Sequence, residues 1–121
     1  MVRALLDSNI LIDHLKGLVQ AQTEFDRYEN RAISIVTWIE LLAGSTAANE
    51  TGVRALLESF DTVDLDRDVA TEAASLRRAY RIKLPDAVIW ASARTQGRLL
   101  VTRNTKDFPA GDPGVRVPYA V

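Results

Sequence analysis

The stretch "VRALLDSNILIDHLKG", residues 2–17, changes character at a single residue, Asp7. The run before Asp7 is short and apolar, which predicts a buried strand ending at that acid. Beyond it, Ile10, Leu11, Ile12 and Leu15 recur at helical spacing. Ser8 or Asn9 is placed to cap that helix and Gly17 to stop it. A strand that feeds a helix through one acid leaves that acid at the carboxyl end of the strand.

The pattern repeats along the chain. "AISIVT" (32–37) is β-branched and apolar and predicts a second strand, followed at once by "WIELLAG" (38–44), a helix with Glu40 near its beginning. "VQAQTEFDRYEN" (19–30), "TGVRALLESF" (51–60) and "DRDVATEAASLRRAY" (66–80) predict helices, the last with Asp66 or Asp68 at its head. "TVDL" (62–65) and "RLLVT" (98–102) predict further strands, and "VRV" (115–117) an edge strand ended by Pro118. Alternating strands and helices predict a three-layer α/β/α sandwich with a mainly parallel central sheet. At 121 residues the chain fits one domain, 1–121.

"LPDAVIWASA" (84–93) carries one acid at the head of an otherwise apolar helix. Pro85 suits a first helical turn, which makes Leu84, a poor cap, the N-cap. Asp86 then favours the helix dipole without being the usual capping side chain. A helix apolar all round is a buried one. Packed antiparallel to the strand it feeds, it brings Asp86 towards the rim where Asp7 and Glu40 lie. "TRNTKD" (102–107) delivers Thr102, Asn104 and Asp107 to the same rim, beyond the strand carboxyl ends where open sheets bind ligands.

Carboxylates held close together repel one another, and burial penalises each charge further. A divalent cation relieves both effects. With no cysteine and one histidine, the donors are oxygen atoms, which suits Mg²⁺, with Mn²⁺ as substitute, better than Zn²⁺. Such an ion activates water and stabilises charge on a phosphate. The residues themselves therefore point to metal-dependent phosphodiester hydrolysis.

"LLDSNILID" (5–13), "TWIELLAG" (37–44), "LPDAVIWASA" and "LLVTRNTKDF" (99–108), in that order, resemble the PIN-domain family, and within it the VapC-type toxins of bacterial toxin–antitoxin pairs. The resemblance spans essentially the whole chain. It implies a Mg²⁺-dependent endoribonuclease, a homodimer, and a cognate antitoxin that inserts a basic side chain into the acidic pocket. It places the family's acids on Asp7, Glu40 and Asp86. The fourth position falls on Asn104, with Asp107 three residues on, so either contributes: Asn104 without charge, Asp107 to metal directly or through water. Thr102 and Asn104 would hold the ligating carboxylates by hydrogen bonds, and Asn9 would either do the same or cap a helix.

Several residues carry a plainer reading. Asp107 is equally a solvated loop acid. Asp13 is expected at the surface and His14 in solvent; Trp38 and Trp90 are expected in the core. Arg77, Arg78, Arg81 and Lys83 form either a polar helix end or a site for RNA phosphates, with Arg103 and Lys106 approaching from another loop. A formal charge of −1 excludes a global positive field for polyanions. No run of apolar residues is long enough to span a membrane, Asp7 and Asp13 interrupt the apolar start, and the lack of cysteine fits a reducing cytoplasm. Two other functions compete: an interaction module that has lost catalysis, and a receiver-type phosphotransfer domain. The latter expects paired acids after the first strand and a lysine after a late one, where this chain has one acid and Arg103.

Overall fold

The computed structural model describes residues 2–121. Five short strands form one parallel sheet: β1 (Ala4–Leu6), β2 (Arg31–Ser34), β3 (Asp61–Val63), β4 (Leu99–Val101) and β5 (Val115–Arg116). Their spatial order is β3-β2-β1-β4-β5. The chain thus builds outward from β1 to β2 and β3, then returns to add β4 and β5 on the other side. That reversal opens a crevice between the carboxyl ends of β1 and β4, the kind of switch point where α/β sheets bind ligands.

Among the described residues six helices cover the sheet: α1 (Ser8–Leu15), α2 (Val19–Asp26), α3 (Ile35–Ala43), α4 (Glu50–Glu58), α5 (Arg67–Tyr80) and α6 (Leu84–Thr95). The period of two along each strand sorts the core into two layers. Leu5, Ala32 and Leu100 pack with α5, α6 and Phe108 on one face. Ala4, Leu6, Ile33 and Val101 pack with α1, α2, α3 and α4 on the other. The arrangement is the three-layer α/β/α sandwich expected from the alternation.

Helix α6 lies against the sheet with residues 87–93 buried without interruption, and the one hydroxyl in that buried run, on Ser92, donates to the Val88 carbonyl at 2.7 Å. Trp90 is a core residue, edge-on to Phe108 at 5.8 Å and packed on Tyr80 at 4.8 Å. Trp38 is half-buried against the opposite layer. Gly17 and Gly97 end α1 and α6 with φ of 86° and 62°, a region that glycine enters without strain.

Three boundaries and two environments differ from expectation. Helix α3 begins at Ile35 rather than Trp38, because the Ser34 hydroxyl accepts from the Val36 N–H at 3.0 Å and caps it. Local capping there outweighs the strand preference of Ile35, Val36 and Thr37. Glu40 consequently sits in the second turn of α3, not near its start. Helix α1 is capped by Asp7 itself, whose Oδ1 accepts from the Ser8 N–H at 2.7 Å. Helix α6 begins at Leu84 with Lys83 as N-cap, which puts Asp86 at the third helical position. Asp13 is buried rather than at the surface, because Arg103 and Tyr119 cover and bond it. His14 is half-buried against Phe25, 4.8 Å between ring centroids.

Candidate acidic site at the sheet switch point

Asp7 occupies the junction of β1 and α1, and its N–H donates to the Val101 carbonyl at 2.9 Å. Only 4% of its surface is exposed. Its Oδ1 accepts from Ser8 N–H, and its Oδ2 accepts from the Thr102 hydroxyl at 2.8 Å and from Asn9 Nδ2 at 3.2 Å. Thr102 stands at the end of β4, so one hydrogen bond spans the crevice between the two strands. Asn9 spans it a second time, because its Oδ1 accepts from the Arg103 N–H at 3.2 Å. Asn9 therefore braces Asp7 and does not cap the helix.

Ser8 connects Asp7 to Glu40. The Ser8 hydroxyl lies 2.7 Å from Glu40 Oε1 and 2.9 Å from the Thr37 hydroxyl. A hydroxyl has one proton, so donation to the carboxylate leaves Thr37 as the donor to Ser8. Glu40 is exposed while this chain of hydroxyls beneath it is buried. Its place at the strand-to-helix junction suggested Ser8, or Asn9, as a cap; nothing local gave a sign of the partner on α3.

The β4–β5 loop supplies the fourth acid. The Asn104 carbonyl oxygen Oδ1 accepts from the N–H groups of Lys106 and Asp107 at 3.2 and 3.1 Å, and its Nδ2 donates to Asp107 Oδ2 at 2.9 Å. Asn104 thus shapes the loop and fixes Asp107, which is half-buried beside Asp86 rather than free in solvent.

Charges in this hollow act on one another. Burial pushes the Asp7 carboxyl up to about 6, against the hydrogen bonds from Thr102 and Ser8; the charges of Asp86 and Glu40 push it the same way as burial. Burial also raises Asp86, together with the charges of Asp107 and Glu40 and a hydrogen bond to Asp107, while Lys83 opposes. Acids from β1–α1, α3, α6 and the β4–β5 loop therefore share one field. Among the described residues no three carboxylate or imidazole groups form a ready-made metal-ligand set. Mg²⁺ does not require one, since it keeps several waters and takes one or two carboxylates.

The arrangement also decides a family. The PIN-domain profile matches residues 4–111. The chain is 34% identical to "Ribonuclease VapC10" of Mycobacterium tuberculosis, over 97% of this chain and 93% of that protein. The chain belongs to the PIN-domain family, in its VapC branch. It is also 30% identical to the "tRNA(fMet)-specific endonuclease VapC" of Shigella flexneri, over 89% of this chain and 91% of that one. Among solved structures, a "Toxin-antitoxin complex from Klebsiella pneumoniae" superposes with a TM-score of 0.91 at 41% identity, covering 98% of this chain and 99% of that one. As a PIN domain of VapC type, the chain has its acids at the position the sheet topology reserves for ligands.

The basic residues divide. Arg78, Arg81 and Lys83 are exposed around the α5–α6 turn, and Lys106 is exposed on the β4–β5 loop. Arg77 donates from Nε to the Ile82 carbonyl at 3.2 Å, the helix-end role. Arg81 ends α5 at φ 56°, a left-handed conformation that is costly for a side chain with a Cβ. Arg103 is engaged by Asp13 through two hydrogen bonds. No helix among the described residues is long and apolar enough to cross a membrane.

Proposed function

We propose that this VapC-type ribonuclease is a Mg²⁺-dependent endoribonuclease, with Mn²⁺ as substitute, that acts as the toxin of a toxin–antitoxin pair. The observation that carries it is the convergence of four acids at the switch point, where burial raises the carboxyls of Asp7 and Asp86, the charges of Asp86 and Glu40 add to it at Asp7, and those of Asp107 and Glu40 add to it at Asp86. Four acids in one hollow cost stability unless a cation joins them. The oxygen-only donor set suits a hard divalent ion. When bound, that ion supplies Lewis-acid stabilisation of the charge that builds on a phosphate.

Asp7 and Asp86 would hold the ion, with Asp107 ligating directly or through water. Glu40, exposed and connected to Asp7 through Ser8, would orient the water that attacks phosphorus. Thr102 and Asn9 fix the Asp7 rotamer and Asn104 fixes Asp107, the kind of support that makes a carboxylate a competent ligand. Attack would form a new P–O bond as the water gives up a proton, and would break the bond to the leaving ribose oxygen, which takes up a proton in exchange. Arg78, Arg81, Lys83 and Lys106 would contact flanking phosphates. A cognate antitoxin would neutralise the site by seating a lysine or arginine side chain among the carboxylates, and the toxin would work as a homodimer in the cytoplasm.

The test is cleavage of total RNA by the purified chain with Mg²⁺, with chelator, and as Asp86→Asn. Site-specific cuts that require the ion and vanish in the variant support the proposal. Equal cleavage by the variant, or undiminished cleavage in excess chelator, would overturn it.

A further inference from the structure

Asp13 lies 3% exposed on the last turn of α1, away from the acidic hollow. Its backbone carbonyl already serves the α1–α2 turn, accepting from the N–H groups of Lys16 and Leu18 at 3.1 and 3.0 Å. Its side chain is a separate junction. Oδ1 accepts from Arg103 Nη2 at 2.9 Å, and Oδ2 accepts both from Arg103 Nε and from the Tyr119 hydroxyl at 2.8 Å. A planar guanidinium met by both oxygens of a carboxylate is fixed in orientation as well as position.

Arg103 sits between two residues of this loop that touch carboxylates of the hollow. Thr102, before it, donates to Asp7, and Asn104, after it, donates to Asp107. The Arg103 N–H is held by Asn9, and the Asn104 N–H donates to the Thr102 hydroxyl at 2.9 Å. Tyr119 is secured in turn: three residues earlier, Arg116 pairs with buried Glu24 of α2, Nε to Oε1 at 2.7 Å. The segment after β5 is therefore tied to α2 by Arg116 and to α1 by Tyr119, and the second tie ends on the acid that grips the β4–β5 loop.

We infer that Asp13, Arg103 and Tyr119 form a positioning relay that sets the 102–107 loop, and through Thr102 and Asn104 sets Asp7 and Asp107, for cation binding. The inference rests on the cation site proposed above. It gives Arg103 a role other than contact with RNA phosphates. A six-residue stretch of the β4–β5 loop, outside any helix or strand, needs such a restraint, because supporting groups must hold ligands within fractions of an ångström. The three residues act through others and touch neither ion nor substrate.

The experiment is Mn²⁺ titration calorimetry without RNA, on the wild type and on Asp13→Asn, Arg103→Met, Arg103→Lys and Tyr119→Phe. Amide hydrogen exchange of residues 102–108 and RNA cleavage kinetics accompany it. Asp13→Asn and Arg103→Met should weaken Mn²⁺ binding by about 10–100-fold, as loss of a group supporting a ligand does. Loop amides should exchange faster, and kcat at fixed Mn²⁺ should fall with KM for RNA unchanged. Arg103→Lys, keeping the charge without the fork, should fall between Arg103→Met and the wild type. Tyr119→Phe deletes one hydroxyl, so it folds even where Asp13→Asn does not, and should give the same changes at smaller size.

Unchanged Mn²⁺ affinity and loop exchange together with a raised KM would overturn the relay and return Arg103 to the RNA backbone. A lowered melting temperature with both readouts unchanged would overturn it in favour of a purely structural pair. Loss of the cation proposal looks different: wild-type protein that neither binds Mn²⁺ nor cleaves RNA. Loop exchange then decides the relay, acceleration in Tyr119→Phe upholding it and unchanged exchange ending it.

Discussion

Asp7 and Asp13 stand at opposite ends of α1, and both are buried. Burial pushes both carboxyls up, yet they settle on opposite sides of the ordinary value. At Asp13 the hydrogen bonds from Arg103 and Tyr119, and the charges of Arg103 and Lys16, overcome burial and hold it below the usual range. At Asp7 only neutral donors face the carboxylate, and the nearest charges, on Asp86 and Glu40, are negative, so it rises to about 6. One end of the helix completes its electrostatics within the fold. The other end leaves an unbalanced charge at the crevice, which marks it as a place where a cation belongs.

The largest break in that comparison is Asp7→Asn. It keeps an oxygen for the Ser8 N–H and removes the charge. RNA cleavage should fall by more than the roughly 100-fold expected for a supporting group. The metal-free protein should become more stable at pH 7.5, by up to roughly 3 kcal/mol for a shift of about two pKa units. Thermal unfolding of metal-free protein checks this sign, which a purely structural Asp7 would reverse.

Asp13→Asn should do the opposite. It leaves Arg103 without its counter-charge and costs about 1–3 kcal/mol of stability, below the penalty of a fully buried pair because Arg103 is partly exposed. Chemical denaturation of the two variants side by side measures the contrast directly.

The pH dependence follows with a worked sign. Between the ordinary carboxyl value of 3.8 and about 6, native Asp7 retains a proton that the unfolded chain has released. The native state then binds more protons, so metal-free stability falls as pH rises through that window, and Asp86 adds to the fall. Asp13, held low, contributes stability that is lost only as pH drops below its ordinary value. Unfolding curves from pH 4 to 7 should show the fall in wild type and a shallower one in Asp7→Asn.

The smallest effect belongs to Ser8→Ala, which cuts the connection between Glu40 and Asp7 while leaving every carboxylate in place. Cleavage should drop by about tenfold, the cost of one hydrogen bond to a charged group, with Mn²⁺ affinity little changed.

These two ends of α1 also show what the sequence discloses. Asp7 was legible because an acid that terminates an apolar run has one geometric meaning in a parallel sheet. Asp86 was legible because Pro85 and an all-apolar helix locate a buried N-terminus; its exact helical position was off by one. Glu40 was assigned to the right rim although the cap at Ser34, stronger locally than three β-branched residues, moved the helix start. Asp13 was not legible. Its partners Arg103 and Tyr119 lie 90 and 106 positions away, and no local pattern announces an ion pair across that separation. Ser8 was seen as a cap for the same reason, since Glu40 is 32 positions off.

Calorimetric titration of Mn²⁺ into the wild type and Asp7→Asn at pH 7.5 is the most direct measurement. Binding to the wild type that is lost in the variant is the outcome predicted for a cation that offsets the charge at this end of α1. Equal binding to both proteins, or binding to neither, would contradict it.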